Sequence, residues 1–238
     1  MNRTLIDQMP QAEAEQLLAE LGAVLTGHFV GTSDKHLQGY VDKDVPIRHP
    51  RAQRRLAIGM AALVQGMPVD VVVSPPMGAI VLGSNVAEAL DVEYAFLEMV
   101  TQQFGMTRGL RDEPVAAHYN IGLAVKRQTF KEAVCGKRVG IGEDILTTGK
   151  TTLQTIEAVR KAGGEVVWVL ALYNRGAVTA QQLGVEHLLA LVERQLLVMT
   201  PEECADWGPC SESVPVSLAV GHGARYMRSN PDYVGGFC

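Results

Sequence analysis

The sequence predicts an α/β fold: a parallel, twisted sheet flanked by helices on both faces, with a small hood formed by the N-terminal segment and a candidate contribution from the C-terminal one. Three observations carry this. Short, nearly continuous apolar runs rich in β-branched residues occur at 69–74 (VDVVVS) and 166–173 (VVWVLALY), the pattern of strands buried on both faces. Segments of helical period alternate with them, as in βαβ units. The joins are punctuated by proline and glycine, at PPMG after Ser74 and at Gly163-Gly164.

Taken in order, residues 11–26 predict an amphipathic helix, with Ala12, Leu17, Leu18, Leu21 and Leu25 at helical spacing. A polar, glycine-bearing stretch follows to Pro50, and 51–66 predicts a second helix ending near Gly66 and Pro68. The core alternation then begins: strand 69–74, helix 79–90, strand 92–98. It resumes with strand 138–144, helix 150–162, strand 166–173 and strand 185–192. Residues 99–135 interrupt the alternation as a long polar connection with Gly105, Gly109, Pro114 and Gly122, and connections of that length are often functional. Residues 200–238, rich in Pro, Gly and Ser, carry no assignment. The expectation is one domain over 1–238, with a core at about 51–195, a hood segment at about 1–50 and an extension at about 196–238.

Composition narrows the function. The 238 residues are 47% hydrophobic and 20% charged, with a formal net charge of -5, so no basic excess suggests a nucleic-acid partner. No run of 18 apolar residues predicts a membrane span and the N-terminal stretch has no signal-peptide pattern. Four cysteines, at 135, 204, 210 and 238, are too sparse for a disulfide framework, and a cytoplasmic protein with reduced thiols is expected. Cys204 and Cys210, with Asp206 between them, match no familiar zinc pair.

The chemistry concentrates in EDILTTGKTT at 143–152. Ligands of doubly wound sheets bind beyond the carboxyl ends of the strands, which is where Glu143 and Asp144 fall. Thr147, Thr148, Gly149, Lys150 and Thr151 then open the next helix. Their backbone N–H groups and hydroxyls suit a phosphate at the positive end of the helix dipole, and Gly149 allows close approach. Carboxylates beside a phosphate cradle fit a sugar phosphate: the acids accept hydrogen bonds from ribose hydroxyls while the turn holds the phosphate. Gly149-Lys150-Thr151 matches the end of a Walker A loop, but Asp144 stands where that motif needs its first glycine.

These residues resemble the signature of the type I phosphoribosyltransferases: an apolar strand, two acids, two variable residues, then Thr-Thr/Ala-Gly-x-Ser/Thr. Within that family the chain looks most like the orotate phosphoribosyltransferases, over roughly residues 20–210. Residues 27–44 resemble their N-terminal segment, with Lys35 on the family lysine and Tyr40 near its aromatic. SPPMGAI at 74–80 resembles the pyrophosphate loop, and Arg175 falls on the arginine that holds the orotate carboxylate. PEEC at 201–204 resembles the C-terminal part of some longer members. The chain departs from the pattern at Gly140 and Gly142, where bulky apolar residues are usual, at Met77 and Ala79 in the pyrophosphate loop, and at Met99, where a cation is expected. Arg108, Arg111 and His118 are the candidates for the missing loop cations.

The resemblance implies attack of a base nitrogen on C1 of 5-phosphoribosyl-1-pyrophosphate (PRPP), with loss of pyrophosphate. It places the ribose hydroxyls on Glu143 and Asp144 and the 5'-phosphate in the stretch Ile145, Leu146, Thr147, Thr148, Gly149, Lys150 and Thr151. The pyrophosphate falls on Pro76, Met77 and Gly78, and the base near Lys35, Thr147 and Arg175, with Asp144, Glu143 and Lys35 as the implied catalytic residues. It further implies magnesium held mainly through PRPP, a loop at 99–120 that closes over the site, and a homodimer. A non-catalytic PRPP-binding regulator and a transferase for another base, such as a purine, are the alternatives.

Overall fold

In the computed structural model, which describes residues 6–31, 34–108, 114–231 and 233, a five-stranded sheet forms the centre. Its strands are β3 (Val71–Ser74), β4 (Glu93–Phe96), β7 (Arg138–Leu146), β8 (Glu165–Asn174) and β9 (Leu188–Glu193), all paired in parallel. Their spatial order is β4-β3-β7-β8-β9. The chain therefore runs outward from β3 to β4, returns across β3, and builds the other half from β7. That reversal makes the carboxyl ends of β3 and β7 the switch point where an open α/β sheet leaves a crevice.

Both faces of the sheet are covered, which explains the unbroken apolar runs. On β3 and β8, Val72, Trp168, Leu170 and Leu172 enter one core with helices α1 (Gln11–Glu20), α3 (Pro50–Leu63) and α4 (Ala79–Leu90). Val71, Val73, Val169 and Ala171 face the opposite side, against α6 (Lys150–Lys161) and its neighbours. The helix predicted at 79–90 has those bounds. Gly140, unexpected in a strand, lies under the fully buried Trp168, whose indole a Cβ at 140 would overlap. The volume a bulky residue would occupy on β7 is supplied from β8 instead.

Three sequence expectations change. The first helix stops at Glu20 rather than 26, because Gly22 takes a left-handed φ of 74° and the chain turns into β1 (Val24–Val30). Leu25 thus belongs to a strand. β1 pairs antiparallel with β2 (His36–Val41), and β2 with β10 (Val198–Met199), so the hood is a small sheet built from both ends of the chain. After α2 (Asp44–Ile47) the core begins. Residues 99–135 are not an irregular loop: β5 (Glu98–Arg108) and β6 (Pro114–Ala124) form a long antiparallel hairpin followed by α5 (Gln128–Val134). The hairpin escaped notice because its ladder shifts register twice, which breaks the two-residue alternation. Finally, α7 (Ala180–Leu183), α8 (Pro201–Trp207) and α9 (Gly223–Ser229) complete the chain, two of them in the stretch left unassigned.

Candidate active site

The crevice at the switch point has three walls. One is the turn after β7. Glu143 is buried, accepting from the Thr152 hydroxyl at 3.0 Å and from the Asp144 backbone N–H at 3.1 Å. Burial, together with the neighbouring Asp144 carboxylate, raises its pKa well above the ordinary carboxyl value. Asp144 instead borders the open space, with Oδ1 accepting from Ile145 N–H at 2.7 Å. Gly149 caps α6 at φ 74°, and the threonines Thr147, Thr148 and Thr151 are exposed. The first N–H groups of a helix have no intrahelical acceptor, so they point into this turn.

The second wall is the loop after β3. Pro76, Met77 and Gly78 face the β7 turn, and Met77 is 74% exposed. A Cβ at Gly78 would overlap Asp144 Oδ2 and come within 2.7 Å of Lys43 Nζ, so this approach requires glycine. Lys43, which follows β2, donates to Asp44 Oδ1 at 3.0 Å and lies 3.9 Å from Asp144 Oδ2. Sequence reasoning passed over it, since a lysine between two aspartates has the look of a solvated charge run. Among these residues lies a cavity of about 270 Å³.

The third wall comes from β8 and the hood. The N–H groups of Arg175 and Gly176 both donate to the Leu146 carbonyl, at 3.0 and 3.2 Å. A Cβ at Gly176 would overlap the Thr147 carbonyl, so the two turns are locked together. Arg175 Nε donates to Thr147 Oγ1 at 2.8 Å, and its guanidinium sits 5.6 Å from the centroid of Tyr40. Its Nη1 is buried without a hydrogen-bond partner among the described residues. Lys35, half-buried, lines the same space with Leu37, Tyr40, Leu196 and His222, around a cavity of about 960 Å³. The two cavities share Lys43, Asp144, Ile145, Thr147, Thr148 and Thr151. The structure thus brings all the predicted PRPP and base residues to one crevice. Among the hairpin residues whose side chains are described, 98–102 and 121–124, none lines either cavity. The side chains of Arg108 and His118, and Arg111 entirely, lie outside the described residues.

Comparison with known proteins agrees with this geometry. The family model for the phosphoribosyl transferase domain matches residues 52–184, and the chain belongs to that family. Relatives that match it across most of its length include orotate phosphoribosyltransferases. That of Pelotomaculum thermopropionicum is 32% identical over 219 residues, covering 91% of this chain and 99% of its own. That of Erythrobacter litoralis is 35% identical over 188 residues, covering 75% and 84%. Among solved structures, the orotate phosphoribosyltransferase of Mycobacterium tuberculosis H37Rv shares the fold with a TM-score of 0.54 at 22% identity, covering 77% of this chain and 95% of that one. Leishmania donovani UMP synthase gives 0.57 at 24% identity, covering 77% of this chain and 36% of that longer one.

Proposed function

We propose that this protein transfers the 5-phosphoribosyl group from PRPP to orotate, releasing orotidine 5'-monophosphate and pyrophosphate. One observation carries the choice of base. Arg175 lines the larger cavity beside the phosphate turn and the shared Asp144 carboxylate, and its buried Nη1 has no hydrogen-bond partner among the described residues. A guanidinium in that position suits a carboxylate, which accepts two parallel N–H bonds. Orotate has a carboxylate and purines have none.

The roles follow from the walls. Thr147 to Thr151 hold the 5'-phosphate on hydroxyls and helix N–H groups. Asp144 accepts from the ribose hydroxyls. Glu143, buried and bonded inward, acts behind Asp144 by fixing its backbone. The backbone of Pro76 to Gly78 meets the pyrophosphate, and Lys43 adds a positive charge between that loop and Asp144. Lys35 and Arg175 face the base. The base nitrogen supplies the electron pair for the new bond to C1, and pyrophosphate leaves with the pair of the old one. Alignment and a preorganised field lower the barrier to this oxocarbenium-like transition state without a covalent enzyme intermediate. Magnesium would neutralise charge on the leaving pyrophosphate. The donor set fits such an ion held mainly by substrate and water, because Asp144 is the carboxylate that borders both cavities.

No helix among the described residues is long and apolar enough to cross a membrane, and we assign the enzyme to the cytoplasm. The β5–β6 hairpin exposes Met99 and Ile121, a surface suited to pairing two copies as a homodimer, where it closes over the crevice. The test is a panel of orotate, uracil, adenine, hypoxanthine and guanine with PRPP and magnesium, followed by pyrophosphate release. Release with orotate alone is expected. Release with a purine and not orotate overturns the base assignment, and PRPP binding without release from any base makes the protein a PRPP sensor.

A further inference from the structure

Away from the crevice, the hood holds a second concentration of chemistry. His28 lies on β1, His36 on β2, Cys204 in α8 and Cys210 just after it. One donor atom from each lies within 4.8 Å of the other three, and no other group of this kind occurs among the described residues. His28, His36 and Cys204 are buried and Cys210 is half-buried.

We propose that His28, His36, Cys204 and Cys210 form a structural zinc site that ties the C-terminal segment to the hood sheet. Two thiolates and two imidazoles are the donor set of closed tetrahedral zinc sites. The spacing fits as well. His28 Nε2 lies 3.6 Å from Cys204 Sγ and 3.7 Å from Cys210 Sγ, and His36 Nδ1 lies 3.4 Å from Cys210 Sγ. Zinc bonds of about 2.0–2.1 Å to nitrogen and about 2.3 Å to sulfur set tetrahedral N–S edges of roughly 3.5 Å. The two imidazole nitrogens are closer, at 2.7 Å, and would part by about 0.6–0.7 Å to reach the tetrahedral N–N edge and admit the ion.

The surroundings are those of a held site. His28 Nδ1 meets the Val214 carbonyl at 2.8 Å, which fixes the tautomer and turns the Nε2 lone pair toward the centre. The Cys210 backbone N–H donates to Cys204 Sγ at 3.3 Å, and the Tyr233 hydroxyl reaches Cys210 Sγ at 2.9 Å. Both contacts can stabilise sulfur carrying negative charge. Gly208 makes the turn between the cysteines, where a Cβ would come within 2.9 Å of Cys204 Cα. The ligand pairs come from opposite ends of the chain, so the ion would close a loop of more than 160 residues, adding to the short β10 ladder, the bridge from His28 to Val216, the His222-to-Val30 backbone hydrogen bond, the Arg225–Asp34 ion pair and a small apolar cluster.

The test is the metal content of the full chain, purified with a thiol reductant and no chelator. About one zinc per chain is expected, with little in Cys204→Ser or Cys210→Ser and full content in Cys135→Ser, whose thiol is exposed elsewhere. Removing the metal with a chelator should lower Tm by roughly 10 °C. Because a cysteine variant can fail to fold, wild-type protein is also stripped and loaded with cobalt(II). Tetrahedral ligand-field bands with thiolate charge transfer are expected. Wild-type protein without zinc and without those cobalt bands overturns the site, as does zinc that survives both serine substitutions.

Discussion

Replacing Arg175 by glutamine separates the base subsite from the phosphate subsite. Among the described residues of the free protein, the guanidinium has one hydrogen bond, to Thr147 at 2.8 Å, a ring contact with Tyr40 and a buried Nη1 with no partner. Burial lowers its pKa, so the cation is held at a desolvation cost. A bound carboxylate would accept two charge-assisted hydrogen bonds at about 1.5–3 kcal/mol each. Taking the lower half of that range, their loss costs about 3–4 kcal/mol, or roughly 10²–10³ in kcat/KM. The loss should appear in kcat/KM for orotate at saturating PRPP, while the KM for PRPP at saturating orotate changes by less than about threefold. Stability should move by less than about 1 kcal/mol, because the lost bond and ring contact are offset by relief of desolvation. Urea unfolding beside steady-state kinetics measures both. An orotate kcat/KM within threefold of wild type, or a loss shared equally by PRPP, would refute the assignment of Arg175 to the base.

Three further substitutions probe the rest of the crevice and its support. Gly78→Ala places a methyl against Asp144 Oδ2 and Lys43 Nζ; the KM for PRPP should rise at least about tenfold with Tm nearly unchanged, since the strain falls on the site rather than the core. Gly140→Val drives a side chain into the buried Trp168 indole and should cost about 3 kcal/mol, whereas Gly140→Val with Trp168→Leu should recover much of it, a non-additivity read by denaturant unfolding. Glu143→Gln addresses pH. Glu143 retains its proton in the folded state at pH values where the unfolded chain has lost it, so the native state binds more protons and this group makes stability fall as pH rises above 4.5, until its own raised value is reached. The glutamine variant should therefore gain on wild type as pH rises above 4.5 and converge with it below that value; a difference that grows toward low pH contradicts this.

Much of the fold was visible in sequence because burial on both faces writes itself locally. VVVS at 71–74 and VVWVLALY at 166–173 have few polar residues to confuse the pattern, and helix 79–90 is bounded by proline and by Asp91 in a left-handed turn. The phosphate turn was visible for a related reason: acids, threonines and Gly149 are contiguous, so one segment carries most of the site. What escaped depends on distant residues. Lys43 has meaning only once Gly78 lets Asp144 approach it. His28 and His36 become neighbours through the β1–β2 hairpin, and they meet Cys204 and Cys210 across more than 160 positions. One miss was avoidable: Thr200-Pro201-Glu202-Glu203 is a capping box with proline at the first turn, and it announces α8.

The most direct measurement of the central claim runs the transfer backwards. Orotidine 5'-monophosphate, pyrophosphate and magnesium are incubated with the protein, and free orotate and PRPP are quantified together. Equal amounts of the two, appearing only when pyrophosphate is present, are expected if the adjoining cavities hold base and phosphoribosyl groups for direct transfer. Absence of orotate from an otherwise folded protein that binds the nucleotide would contradict it.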